Sequence, residues 1–223
     1  MQFLIKMDKV IYVDPKIQTP CTISVIGSTS SGKTTFISKL LWRNDLFLTK
    51  INKILYCYSC FQTLFDEMNI SYDNIEFHHD LPSENEIKEF ADGRHNLIVL
   101  DDLMAKVTSS KTMLDLFCQY SHHLNLTVIF VSQNIFHVGK CSRSLTLNSH
   151  YFILFRNRRD INQIGILGRQ LFPGKQKNFL NAYKDATKNS FGYLFVDIHP
   201  KSNEIISLRT DILNELYNTI YVL

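Results

Sequence analysis

Gly27-Ser28-Thr29-Ser30-Ser31-Gly32-Lys33-Thr34 sets two glycines, a lysine and a hydroxyl at the spacing G-x-x-x-x-G-K-[ST]. The chemistry that spacing serves is the grip of a nucleoside polyphosphate. Between the glycines a tight turn brings successive backbone N–H groups round the anion, and a following helix points its positive dipole end at the same charge. Lys33 reaches the β- and γ-phosphates, and Thr34 offers a hydroxyl to Mg²⁺. Gly27, Ser28, Thr29, Ser30, Ser31, Gly32, Lys33, Thr34 and the adjoining Thr35 are therefore the candidate nucleotide-binding residues. A second stretch, Asn96-Leu97-Ile98-Val99-Leu100-Asp101-Asp102, ends an apolar run in tandem carboxylates. Asp101 is placed to contact Mg²⁺ directly or through water, and Asp102 to orient or polarise an attacking water. Gln133 closes a third run, Leu126-Thr127-Val128-Ile129-Phe130-Val131-Ser132. An amide there senses the γ-phosphate or holds the water in line. The reaction these groups describe is metal-assisted hydrolysis of a nucleoside triphosphate.

For such groups to meet, the runs that carry them must be parallel strands of one sheet, with the acids and the glutamine emerging at its C-terminal edge. Cys21–Ile26 reads as the strand before the loop. Phe36, Ile37, Leu40 and Leu41 form the apolar stripe of a helix from about Lys33 to Trp42. Further strands are expected at Ile51–Tyr58, Ile75–Phe77, Tyr151–Phe155 and Phe191–Ile198, with helices through Leu64–Met68, from Ser83, and over about Thr112–Tyr120. Trp42 and Phe47 read as packing residues. Val10–Val13, flanked by Pro15, reads as a short edge strand leading into the sheet, and Asp211–Tyr217 as a short closing helix capped by Thr210 or Asp211. The expected fold class is α/β, a P-loop NTPase of the additional-strand class with a largely parallel sheet flanked by helices. It is expected as a single domain over 1–223, with 1–20 as an N-terminal edge segment and 205–223 as a C-terminal closing segment.

At 223 residues and 45% hydrophobic content, one substantial core is enough to account for the chain. A formal charge of +3 is too small to announce a nucleic-acid binder, so any such surface must come from local clustering. No apolar run reaches membrane-span length and the first residues lack a signal peptide's apolar stretch, which implies no membrane span and an intracellular protein. Five cysteines at irregular spacings fit a reducing compartment; Cys57 and Cys60, though a C-x-x-C, have no partner pair at zinc spacing and read as half-buried thiols. His78-His79 reads as a solvated strand end. His122-His123 falls in an expected loop at the far edge of the sheet, for a structural or subunit-contact role. The densest positive cluster is Arg156-Asn157-Arg158-Arg159-Asp160, followed by Arg169, Lys175, Lys177, Lys184 and Lys188. It suits a phosphate backbone, and one of its arginines could reach a neighbouring subunit's γ-phosphate, an effect of about 10³–10⁵ in rate where it occurs.

Several ordered blocks of the chain resemble the viral genome-packaging ATPases of the FtsK/HerA superfamily, in the poxvirus-type branch shared with Polinton/Maverick elements and adintovirus-like viruses. They are Gly27–Thr34, Leu97–Met104, Ser121–Leu126 leading to Ser132-Gln133-Asn134, Leu147–Tyr151, Arg159-Asp160, Arg169-Gln170, Ala182–Thr187 and Gly192–Asp197. The resemblance implies a RecA/FtsK-HerA-like core and a homo-oligomeric ring that pumps double-stranded DNA into a preformed capsid. Lys33, Thr34 and Asp101 would then hold ATP and Mg²⁺, and Gln133 would be the sensor. Asp102 takes the place of the catalytic glutamate usual in cellular members and reaches one methylene less far. The resemblance places an arginine finger on Arg159, with Arg156, Arg158 and Arg143 as alternatives. Its partners would be double-stranded DNA and a capsid or portal-like vertex, inside the host cell. Two rivals remain on the same core: a nucleoside or nucleotide kinase, and a nucleotide-gated capsid-assembly subunit without motor activity.

Overall fold

The computed structural model describes residues 2–6, 9–13, 15–136, 142–159 and 161–223, without the side chains of 2–6, 9–13 and Ser142. Asp160, at the end of the basic cluster, and Cys141, one of the five cysteines, lie outside the described residues. In chain order the elements are β1 (Gln2–Lys6), β2 (Lys9–Val13), β3 (Thr22–Ile26), α1 (Lys33–Trp42), β4 (Ile54–Tyr58), α2 (Leu64–Ser71), β5 (Ile75–His79), α3 (Glu84–Phe90) and β6 (Asn96–Asp101). There follow α4 (Met104–Val107), α5 (Lys111–Asp115), α6 (Ser121–His123), β7 (Leu126–Ser132), α7 (Ser142–Leu147), β8 (Tyr151–Phe155), α8 (Ile161–Leu171), α9 (Gln176–Ala186), β9 (Tyr193–Asp197), β10 (Leu208–Thr210) and β11 (Thr219–Ile220).

Among the described residues nine strands form one sheet in the order β11-β10-β9-β8-β3-β7-β6-β4-β5. From β5 to β8 every pairing is parallel, and β9, β10 and β11 complete one edge antiparallel. The parallel strands are nearly continuous apolar runs because helices cover both faces. Period-2 alternation divides them. Ile23, Val25, Tyr56, Val99, Ile129 and Ile153 turn to one face and are buried with Phe36, Ile37, Leu40 and Leu41 of α1 and with Phe65 and Met68 of α2. On the other face Leu55, Ile98, Leu100 and Val128 pack with Ile87 of α3 and with Met113 and Phe117. There too Phe152, Leu154, Leu194 and Val196 pack with α8 and α9. β7, the run that carries Gln133, lies between β3 and β6, with Ile26 opposite Ser132 and Leu100 opposite Phe130. This register brings the ends of the three chemistry-bearing strands to one edge.

Several expectations need correction. Residues 10–13 do not edge the main sheet, because β2 pairs antiparallel with β1 in a separate two-stranded sheet. The closing helix at Asp211–Tyr217 does not form. Thr210 belongs to β10, Asp211 adopts φ 58°, and Leu216 and Tyr217 are 89% and 57% exposed. With Ile212 alone fully buried in that segment, no apolar face stabilises so short a helix. The helix expected near Thr112–Tyr120 starts at Lys111, passes through a π-helical turn at Leu116–Tyr120 and ends in α6, so His122 and His123 close a helix instead of occupying a loop. Trp42 is not a core residue: it is 66% exposed, edge-on to Tyr72, whereas Phe47 is buried. Cys57 is buried and Cys60 exposed, so the two thiols do not share an environment.

Candidate active site

The phosphate loop begins where β3 ends. A Cβ on Gly27 would lie 2.6 Å from Cβ of Phe155, so this position admits only glycine without displacing β8. Ser30 at φ 60° and Gly32 at φ 95° take left-handed backbone, which curls the loop back over the start of α1. No side chain caps that helix and its first turn holds no acid, leaving its first N–H groups and positive end for an anion. Lys33 lies across the loop and donates from Nζ to the carbonyls of Gly27 and Ser28, each at 2.8 Å. Burial lowers the pKa of this ammonium, opposed by the charges of Asp101 and Asp102.

Asp101 is 4% exposed at the end of β6. Its Oδ2 accepts from Thr34 Oγ1 at 3.2 Å and from the Tyr56 hydroxyl at 2.7 Å. Burial raises the pKa of this carboxyl, and the two hydrogen bonds pull it back. Tyr56, buried and beside that carboxylate, is held well above the usual phenol range and stays a donor. A hydroxyl and a carboxylate at hydrogen-bond distance are the hard oxygen pair that Mg²⁺ takes alongside phosphate oxygens. Asp102, next along, is exposed and sits at φ 55°, a conformation few non-glycine residues adopt. Its charge still reaches Asp101 and adds to the upward shift of the buried carboxyl.

Thr29 to Thr35, Asp101, Asp102 and Gln133 line one cleft of about 380 Å³, together with Gln62 from the loop before α2. The Gly27 N–H donates to the Ser132 carbonyl at 3.2 Å, which ties the phosphate loop to the residue before Gln133. Against the outer side of the same loop lies a second cleft of about 790 Å³, formed by Ser28–Ser31, Gln133, Asn134, Arg156–Arg159 and Asn189–Gly192. Arg156, Arg158 and Arg159 thus border the chain's own phosphate loop, while Arg143, on α7, is not among the residues lining either cleft. The Tyr183 hydroxyl holds their segment. It accepts from the Asn157 N–H at 2.8 Å and donates to the Phe155 carbonyl at 3.0 Å.

Sequence reasoning assigned no role to Tyr56 or Gln62, and named Asn134 and Asn157 only as members of their blocks. Tyr56 could have been suspected, since it is on the strand next to β6 and two residues before that strand ends. Gln62 sits on a loop and carries no local signal. His122, whose ring meets that of His150 edge-on at 5.4 Å, lies at the opposite end of the sheet.

A parallel sheet with the glutamine strand inserted between the phosphate-loop strand and the acid-tipped strand, and a cleft that gathers all three ends, defines a P-loop ATPase of the additional-strand class. The Poxvirus A32 protein family model matches residues 12–190, and the chain belongs to that family. The resemblance to viral packaging ATPases of the poxvirus type is borne out by this membership. Among solved structures, the chain is similar to the genome packaging NTPase B204 from Sulfolobus turreted icosahedral virus 2. The sulfate complex superposes with a TM-score of 0.55 at 10% identity, covering 80% of this chain and 91% of that one. The complex with ATP-gammaS gives 0.53 at 13% identity over 80% and 92%, and that with AMPPCP 0.55 at 12% over 82% and 93%. No curated protein matches the chain.

Proposed function

We propose that this protein is the motor that drives double-stranded DNA into a viral capsid by Mg²⁺-dependent hydrolysis of ATP. The observation that carries the reading is the single cleft in which Lys33, Thr34, Asp101, Asp102 and Gln133 converge. The exposed carboxylate of Asp102 and the amide of Gln133 in this cleft suit an attacking water, which supports hydrolysis over transfer to a small acceptor. The structural relatives are named as genome packaging NTPases, and two of them hold ATP analogues.

In this reading the loop N–H groups and Lys33 bind the β- and γ-phosphates, and Thr34 and Asp101 hold Mg²⁺, which supplies charge neutralisation at the transferring phosphoryl group. Asp102, which lines the same cleft, polarises the attacking water. Gln133 registers the γ-phosphate, and the bond from Gly27 to Ser132 couples its strand to the loop. Arg159 acts as the finger, reaching the nucleotide of the adjacent subunit in a homo-oligomeric ring whose lumen carries the basic residues. The 223 residues work as one P-loop unit, within the host cell and at the capsid vertex during packaging.

Purified protein should hydrolyse ATP only with Mg²⁺ and faster with double-stranded DNA, and Lys33→Ala should reduce turnover to background in a phosphate-release assay. Phosphorylation of nucleosides by the wild type, or an ATPase rate indifferent to DNA at every concentration, would overturn the motor reading.

A further inference from the structure

Phe191 is the one aromatic side chain, among the described residues, that lines either cleft beside the phosphate loop, and the hydrolytic scheme makes no use of it. Its backbone is at φ 61°, an outlier for a bulky residue, and its side chain is 68% exposed, so the strained conformation is not repaid by burial in the core. What the conformation achieves is placement. A Cβ on Gly32 would lie 2.9 Å from Cδ1 of Phe191, so the ring rests against the second glycine of the phosphate loop, at the first turn of α1.

The turn that presents the ring is anchored on both sides. The Gly192 N–H donates to the Asn189 carbonyl at 3.2 Å, and a Cβ on Gly192 would come 2.5 Å from the Ala186 carbonyl oxygen, so the turn is pressed against the end of α9. From across the cleft Arg156 Nη1 donates to the Lys188 carbonyl at 3.4 Å. Asn189 and Ser190 add neutral polar groups beside the ring. The catalytic cleft carries the carboxylates, which suits the reacting end of a triphosphate. The outer cleft, which shares Thr29–Ser31 and Gln133 with the catalytic one, sets an exposed π-face and the polar groups of Asn189 and Ser190 beside the guanidinium groups of Arg156, Arg158 and Arg159.

We propose that Phe191 is the platform on which the nucleobase of the bound triphosphate stacks. This rests on the nucleotide-binding reading above and assigns the base end of that site. Because every base has a π-face, the platform adds affinity for a nucleoside triphosphate over bare triphosphate, and on its own discriminates little between adenine and guanine.

The test compares binding of Mg²⁺-ATP and of Mg²⁺-tripolyphosphate, which has no base, to the wild type, Phe191→Ala, Phe191→Gly and Phe191→Tyr by calorimetry. Loss of one stack should weaken ATP binding roughly 5- to 150-fold in the alanine and glycine variants and leave tripolyphosphate unchanged, with tyrosine restoring ATP affinity. Phe191→Gly relieves the positive φ, so its melting temperature should match or exceed that of the wild type while its ATP affinity falls. Equal losses for ATP and tripolyphosphate would make the ring a mere support of the loop and overturn the proposal, as would unchanged ATP affinity. A wild type that binds neither ligand would instead bring down the nucleotide reading itself.

Discussion

Asp101 shows how one carboxylate serves function at the expense of stability. It is buried at the end of a strand, and two hydroxyl donors, Tyr56 and Thr34, do not fully offset the loss of water, so its pKa is raised. A carboxyl that holds its proton more tightly when folded contributes its stability in full below the unfolded pKa of about 3.9 and loses it as pH rises through the folded value. At neutral pH the charged group is therefore a liability to the fold, retained because a metal needs it. Asp101→Asn, which keeps an acceptor for Tyr56 and Thr34, should abolish hydrolysis and raise the melting temperature at pH 7–8. The gain should shrink as the buffer is taken toward pH 4 in a series of thermal melts, and a gain independent of pH would refute this account. The strained backbone at Asp102 belongs to the same pattern, since the cleft and not the core uses that residue.

At the scale of elements, α1 and the α8–α9 pair solve opposite problems. α1 was legible in advance because Phe36, Ile37, Leu40 and Leu41 repeat at helical spacing directly after the loop, and its bounds of Lys33–Trp42 coincide with those expected. The start of α3 is legible from the acids that follow Ser83, which suit the positive end of a helix, and in the fold Ser83 and Glu86 also form a reciprocal capping box. The basic residues of α8 and α9 are plain in the sequence, but α8 itself is masked by Gly165 and Gly168 in its middle, where glycine is a poor helix former. Tertiary contact explains them. A Cβ on Gly168 would overlap the ring of Phe179, which is fully buried on α9, so the glycine permits the two helices to approach. Gly168→Ala should cost about 1–3 kcal/mol through overpacking, and each kcal/mol should lower the melting temperature by roughly 2–4 °C. Pairing it with Phe179→Leu should recover part of the loss, and an unaltered melt for the single variant would contradict the packing argument.

For the whole molecule the open question of geometry is which active site the arginines serve. Arg156, Arg158 and Arg159 border the phosphate loop of their own chain. This observation favours a second reading, in which Arg156 neutralises charge in cis, beside the proposed action of Arg159 on a neighbour. Mixed assemblies separate the two. Subunits carrying Arg159→Ala, mixed with subunits carrying Lys33→Ala, should regain partial ATPase activity if the finger acts in trans, since each intact loop can then meet an intact arginine. Activity that stays at the background of the separate variants would count against Arg159 as the finger or against a site shared between subunits. DNA stimulation of the same mixtures should fall steeply with added salt if the Arg169, Lys175, Lys177 and Lys184 face meets phosphates.

The order of residues along the chain determined what backbone and nearest neighbours decide by themselves. Glycine allows the left-handed turn at Gly32, the helix after it follows from periodicity, and Asp101-Asp102 is placed at a strand end by the apolar run before it. Such effects reach a turn or two along the chain. Tertiary structure alone decided that β7 inserts between β3 and β6, that Tyr56 bonds to an aspartate 45 residues away, and that the Arg156–Arg159 segment and Phe191 close over the outer side of the loop. Those placements depend on which apolar faces find each other when the sheet and its helices are buried together, and no local pattern encodes that choice. The phosphate loop could be read from eight letters, but the second wall of its site came only with the fold.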